Sequence, residues 1–209
     1  LFTQKMGYRY LGDWSEREGN HCIEESELTA FLMRNGKSPA HISAALHKLR
    51  SEALLHGRTL YAANQAVYQL LRYGVSVKVA AGEVSETVHL VNWDQPASND
   101  FAIAEEVTLK GGHERRPDIV LYLNGIAVGV LELKNSRVSL GEGIRQCLSN
   151  QLPEFNDWFF STVQLVLAGN DSEGLRYGAI GTQEKYFRSW KEGEADNNGY
   201  KLDKYLANI

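Results

Sequence analysis

Arg115-Arg116-Pro117-Asp118-Ile119-Val120-Leu121-Tyr122-Leu123-Asn124-Gly125-Ile126-Ala127-Val128-Gly129-Val130-Leu131-Glu132-Leu133-Lys134-Asn135 is the stretch that decides the fold. Two apolar runs flank Asn124-Gly125, a dipeptide suited to the two positive-φ positions of a type I′ hairpin turn. Both runs are apolar on both faces, as strands in the middle of a sheet are. Three charges still stand at their ends: Asp118, Glu132 and Lys134. Ionised groups at the ends of buried strands are costly unless they are paired or bind a metal.

Two readings fit that pattern. In one, Glu132 and Lys134 form a buried ion pair and Asp118 caps a strand. In the other, the carboxylates are hard oxygen ligands for Mg²⁺, which keeps several waters and contacts substrate phosphate. Such a metal polarises a phosphoryl oxygen and lowers the pKa of a bound water. Glu132 and Lys134 are two residues apart on a strand and so share a face. From there the lysine can orient water or offset charge developing on phosphate.

Strand parity sets a condition on the second reading. In a plain two-residue hairpin Leu123 pairs with Ile126, which puts Asp118 opposite Leu131. Cross-strand partners share a face and neighbours alternate. Asp118 would then point away from Glu132. A bulge, a longer loop or a bend near Asp118 is needed to bring the two carboxylates together.

Pro117-Asp118, thirteen intervening residues, then Glu132-Leu133-Lys134 resembles the PD-(D/E)xK nuclease motif. The wider block RRPDIVLYLNGIAVGVLELKN is similar to the nuclease segment in the motor (restriction) subunit of type I restriction–modification enzymes. ANQAVYQLLRYGVSV and NDFAIAEEVTL resemble the segments that precede it there, so the likeness runs over residues 60 to 180. It implies a restriction-endonuclease-like fold with Asp118, Glu132 and the Leu133 carbonyl on Mg²⁺ and Lys134 positioning the attacking water. It also implies cleavage to a 5′-phosphate and a 3′-hydroxyl. The family carries a glutamine on the following helix, four residues before a tyrosine, and the pair helps fix the site. Gln146 takes the glutamine position here, but Asn150 stands where the tyrosine belongs. The pair Gln151 and Phe155 does not restore it.

In that family the nuclease domain precedes an ATP-driven DNA translocase and associates with methyltransferase and specificity subunits. The partners implied are double-stranded DNA and those subunits, with ATP bound only by the motor domain. Two other classes stay open. A catalytically silent docking module for DNA or protein would share the fold and lack bound metal. A stand-alone repair nuclease would lack a downstream helicase.

Composition agrees with an ordered globular chain: 43% hydrophobic, 23% charged, net charge −4 over 209 residues. That balance argues against a binder held to nucleic acid by bulk charge alone. Basic residues nevertheless gather near the motif: Lys110, Arg115, Arg116, Lys134, Arg137 and Arg145. No apolar run reaches membrane-span length, and two lone cysteines, Cys22 and Cys147, point to a reducing cytoplasm, bacterial or archaeal by the resemblance. The first residue is Leu, so the chain is expected to be a piece of a longer protein.

Along the chain, residues 1–20 read as an irregular segment anchored by aromatics. Residues 24–35 read as a helix stopped by Gly36. A second helix starts at Ser38-Pro39, an N-cap and an N1 proline, and runs towards Gly57. Gly36-Lys37-Ser38 is no phosphate loop, because Phe31 stands where its first glycine is required. A helix over 60–73 closes at Gly74, with Asn64 open to site or core hydrogen bonding. Strands follow at Val75–Ala81, Thr87–Trp93 and Phe101–Leu109. Glu105 and Glu106 in the last are candidates for an extra metal carboxylate, or for plain solvent-facing charges. His113 reads as a loop histidine. A helix over 141–150, a short helical stretch after Pro153, and strands at Val163–Ala168 and Leu175–Ile180 complete the core, with a turn at Gly169-Asn170-Asp171. Glu192 to Gly199 reads as a mobile loop.

The expectation is therefore an α/β fold, a mixed and largely antiparallel sheet of five to seven strands flanked by helices. Residues 1–58 form a helical part, 59–182 the nuclease core, and 183–209 a segment leading towards a motor domain.

Overall fold

The computed structural model describes residues 1–80, 82 and 84–189. A seven-stranded mixed sheet carries the chain, with helices on both faces. Its strands are β1 (Arg9–Asp13), β4 (Phe101–Glu105), β5 (Ile119–Leu123), β6 (Ile126–Leu133), β7 (Leu165–Asn170), β8 (Gly174–Gly178) and β9 (Arg188–Ser189), in that spatial order. The β1–β4 and β6–β7 pairs are parallel and the other four are antiparallel. β6 is thus the central strand, which accounts for the apolar run over residues 126–131. A separate antiparallel pair, β2 (Val75–Val77) and β3 (Glu86–Val88), packs against α3.

The helices start and stop where the side chains dictate. α2 spans Glu25–Arg34 and ends ahead of Gly36 at φ 76°. α3 (Pro39–Ala53) has Pro39 in its first turn, and the Ser38 hydroxyl accepts from the His41 amide. α4 (Leu60–Tyr73) is capped by Thr59, which accepts from the Ala62 amide, and closes at Gly74. A methyl group at Gly74 would lie 2.7 Å from Thr87 Cγ2, so that corner needs glycine. α5 (Leu140–Asn150) is capped by Ser139.

Alternation along the strands builds two cores. Ala102, Ala104, Val120, Tyr122, Val130, Val166 and Ala168 face α2, α3, α4 and α5 in the larger one. Ile103, Ile119, Leu121, Leu131, Leu167 and Leu175 face the other way and pack with Phe2 of the short helix α1 (Phe2–Met6). Asp118 has the parity of Val120, and Glu132 that of Val130. Both belong to the α5 side of the sheet.

Several boundaries differ from those read in the sequence. Residues 1–20 are not irregular: they supply α1 and the edge strand β1. β1 has no apolar alternation to betray it, because its residues are exposed or half-buried and its ladder comes from β4. α3 stops at Ala53 rather than running on to Gly57. The strands expected at Val75–Ala81 and Thr87–Trp93 shrink to three residues each, and Ala81 lies outside the described residues. β4 ends at Glu105, because Glu106 takes φ 50° and cannot continue the ladder. β7 runs two residues later than expected, so the turn falls after Asn170, and β8 begins at Gly174. The stretch after Pro153 is a 3₁₀ turn over Asp157–Ser161. Asn64 is a core residue, donating to the carbonyls of Ser161 (3.1 Å) and Val163 (2.7 Å). The Glu192–Gly199 loop lies outside the described residues. Among those described, no helix is long and apolar enough to cross a membrane.

Candidate active site

The site begins with the β5–β6 turn. Asn124 (φ 52°) and Gly125 (φ 83°) occupy the two left-handed positions. The turn is buried rather than exposed. Asn124 donates to the Leu90 carbonyl (2.9 Å) and accepts from the Asp100 amide (2.7 Å), while the Gly125 carbonyl accepts from Glu24 at the start of α2 (2.7 Å). The hairpin is therefore pinned at its tip, and its register is fixed from there.

Leu123 pairs with Ile126 and Tyr122 with Ala127, but Leu121 then pairs with Gly129. Val128 is an extra residue on β6, a β-bulge. Its carbonyl accepts from the Gln164 amide (2.8 Å), on the opposite flank of the strand. Gly129 lets the strands close up beyond it, since a Cβ there would meet Leu121 Cδ1 at 2.9 Å. After the bulge Val120 pairs with Val130 and Ile119 with Leu131. The next position beyond this last pair is Asp118, just before β5, and Glu132 on β6, so parity now sets both on one face. The bulge required by the parity argument is present, further along the hairpin than the neighbourhood of Asp118.

Glu132 is 1% exposed. Its Oε1 accepts from Lys134 Nζ at 2.8 Å, and the same ammonium donates to Gln146 Oε1 of α5 at 2.8 Å. Gly143 allows α5 to lie close over Lys134 and Ala168; a Cβ at Gly143 would be 3.3 Å from Lys134 Cγ. Asp118 Oδ2 accepts from the Leu133 amide at 2.6 Å, which locks the end of β5 onto β6. Burial pushes the Glu132 carboxyl up to about 7. The Lys134 ammonium pulls it down, and the negative charges of Asp118 and Glu106 push it up.

The contacts of a plain structural pair are thus all present: Glu132 with Lys134, and Asp118 capping a strand. One atom is left over. Glu132 Oε2 is buried with no hydrogen-bond partner. A buried carboxylate oxygen without a donor is costly, and a proton or a bound cation relieves it. Asp118 and Glu132, on one face of the sheet, are hard oxygen donors of the kind that suits Mg²⁺. Among the described residues, no group of three or more His, Cys, Asp or Glu side chains is arranged to hold a metal.

The remaining candidates are placed as follows. Glu105 accepts from the Tyr10 hydroxyl at 3.1 Å at the exposed end of β4. Glu106 pairs with Arg116 Nε at 2.7 Å, and its amide donates to the Asp118 carbonyl (2.9 Å), so it is the nearer of the two to the site. His113 packs on the Phe155 ring. Gln151 donates to the Cys147 carbonyl and accepts from the Gly181 amide, a structural role. Asn150 is fully buried, with neither side-chain atom partnered. Phe155, which does not restore the glutamine–tyrosine pair, stacks under the Arg115 guanidinium at 4.0 Å.

Comparison with known proteins adds the following. Residues 1–185 match the family model described as Type I restriction enzyme R protein N terminus. The type I restriction enzyme HindI endonuclease subunit of Haemophilus influenzae is 25% identical, covering 95% of this chain and 20% of its own length. Two proteins of Methanocaldococcus jannaschii carry names that propose them as the endonuclease subunits of the type I enzymes MjaIXP and MjaVIIIP. They are 23% and 24% identical, over 68% and 95% of this chain and 15% and 20% of their own lengths. The chain spans about a fifth or less of the length of these curated relatives.

Proposed function

The chain belongs to the family of type I restriction enzyme R protein N termini, and from that premise we propose that it is a Mg²⁺-dependent endonuclease module cutting duplex DNA without sequence preference. The observation that carries this reading is the bulge at Val128. It sets Asp118 and Glu132 on one face, beside a lysine already tied to Glu132 and Gln146. Without that extra residue the two carboxylates would lie on opposite faces of the sheet.

Asp118, Glu132 and the Leu133 carbonyl are the atoms that would hold the metal. When bound, Mg²⁺ supplies Lewis-acid polarisation of the phosphoryl group and a more acidic water. The protein's own residues do the rest. Lys134, held between Glu132 and Gln146, keeps its ammonium at one position, where it orients the attacking water and offsets charge on the phosphate. Gln146 fixes the lysine rotamer from α5. Asp118, by accepting from the Leu133 amide, keeps the end of β6 from fraying and so keeps Glu132 and Lys134 in register.

On this reading the module works within a larger assembly. An ATP-driven motor domain and the methyltransferase and specificity subunits are the proposed partners, in the cytoplasm, where free buried thiols such as Cys22 and Cys147 persist. Cleavage of duplex DNA by the full-length protein with its partner subunits, Mg²⁺ and ATP is the test. Asp118→Ala, Glu132→Ala and Lys134→Ala are each expected to abolish cutting while the protein stays folded. Full activity in any one of them removes the assignment.

A further inference from the structure

Arg115 takes no part in the arrangement above, yet it is held in place beside it. Its neighbours are paired: Lys134 with Glu132, Arg116 with Glu106 and Arg145 with Glu184, the last at 2.8 Å. Arg115 has no carboxylate partner among the described residues. Its Nε is buried without a hydrogen-bond acceptor, and its guanidinium lies 4.0 Å from the centre of the Phe155 ring.

The surrounding backbone is built to hold it there. Leu109 and Arg115 exchange both backbone hydrogen bonds (2.7 and 3.1 Å), closing the loop between them. The Gly112 amide donates to the Phe155 carbonyl (3.1 Å), and Asn156 Nδ2 donates to the His113 carbonyl (2.9 Å). A Cβ on Gly111 would collide with the Phe155 carbonyl, and one on Gly112 with that of Glu154. The loop and the 154–156 turn therefore lie flush, and the arginine and its aromatic platform are fixed relative to each other.

Arg115 also lines a polar cavity of about 570 Å³ with Arg145, Gln146 and Ser149. Gln146 is the residue that accepts from Lys134, so the cavity joins the arginine to the Glu132–Lys134 pair. A guanidinium that is stacked, partly desolvated and without an internal counter-ion favours an external anion. Its planar fork matches the oxygens of a phosphate.

We infer that Arg115 holds the DNA strand: its outer amino groups take a phosphodiester next to the one presented to Asp118, Glu132 and Lys134. This rests on the nuclease reading above. The test uses full-length protein carrying Asp118→Asn, which keeps labelled duplex intact while its binding is measured across a salt series. Adding Arg115→Met is expected to weaken binding for every duplex sequence alike and to lower the salt slope by about one phosphate contact. Adding Arg115→Lys is expected to weaken binding while leaving the slope in place, since the charge stays and the stacked fork is lost. Arg115→Gln serves if the methionine variant does not fold. Wild-type affinity and slope in the neutral variants overturn the inference. Cleavage by the wild-type protein, which keeps Asp118, is read separately with its partner subunits, Mg²⁺ and ATP. If it cuts while the slope is unmoved, the Arg115 inference falls alone; if it does not cut, the nuclease reading falls and takes this inference with it.

Discussion

Glu132 and Asp118 stand one position beyond the last ladder pair, Leu131 and Ile119, and share a face because Val128 has no partner on β5. One extra residue, two positions after Ile126 and as apolar as the residues around it, inverts the parity of everything beyond it. The two carboxylates, which an unbroken hairpin would set on opposite faces, come to share the face that α5 covers.

The bulge depends on Gly129, which the Leu121 side chain approaches closely. Leu121 is itself buried against Leu131 in the smaller core and has little room to yield. Gly129→Val is expected to destabilise the protein by about 1–3 kcal/mol through overpacking. Chemical denaturation against wild type measures this. An unchanged midpoint and slope would mean that the strands tolerate a side chain there.

Burial holds the Glu132 carboxyl near 7, against about 4.3 in an unfolded chain. The sign follows from that direction. A raised folded value favours the protonated folded state. The stability it brings is fully present below the unfolded value and is lost as pH rises through about 7. The loss in metal-free protein is on the order of a few kcal/mol. Glu132→Gln, which is neutral throughout, is therefore expected to be more stable than wild type at pH 8 without Mg²⁺, with the gap closing towards pH 5. Thermal midpoints across that range decide it, and a gap that ignores pH contradicts the assigned environment.

Gln146 acts on Lys134, not on the carboxylates. Gln146→Ala is expected to lower the cleavage rate about 10–100-fold, as loss of a supporting contact does, with Mg²⁺ affinity close to wild type. Rate and metal titration measured on one preparation separate these effects. Weakened metal binding equal to the loss in rate would place Gln146 in the metal site itself.

Asn150 is buried with a side-chain amide that has no hydrogen-bond partner, four residues after Gln146 on α5. Leu has a similar shape and nothing to satisfy. Asn150→Leu is expected to stabilise the protein by about 1 kcal/mol or more, with cleavage unchanged. A fall in cleavage without a fall in stability would give Asn150 a part in the chemistry.

Much of the fold was legible in the sequence because local chemistry is strong where it was read. Asn124-Gly125 specified the turn, Ser38-Pro39 and Thr59 the helix starts, and Gly74 a helix end. The site residues were legible as charges in the wrong place, at the ends of strands that bury everything else. Parity showed that a bulge was needed but could not locate it, because Val128 is as apolar as the residues on either side. β1 escaped notice because an edge strand paired in parallel leaves no alternating pattern. Arg115 looked like one surface cation among six; its partner Phe155 lies 40 residues away and is brought to it only by the packing of the two loops.

The central claim is that Asp118 and Glu132 form one metal site. Calorimetric titration of Mg²⁺ into wild type and Asp118→Asn, with duplex DNA present, tests it most directly. The asparagine still accepts from the Leu133 amide, so the strand end is kept while the charge is removed. The account predicts Mg²⁺ binding in wild type that is lost in the variant. Equal binding by both proteins, or none by either, contradicts it.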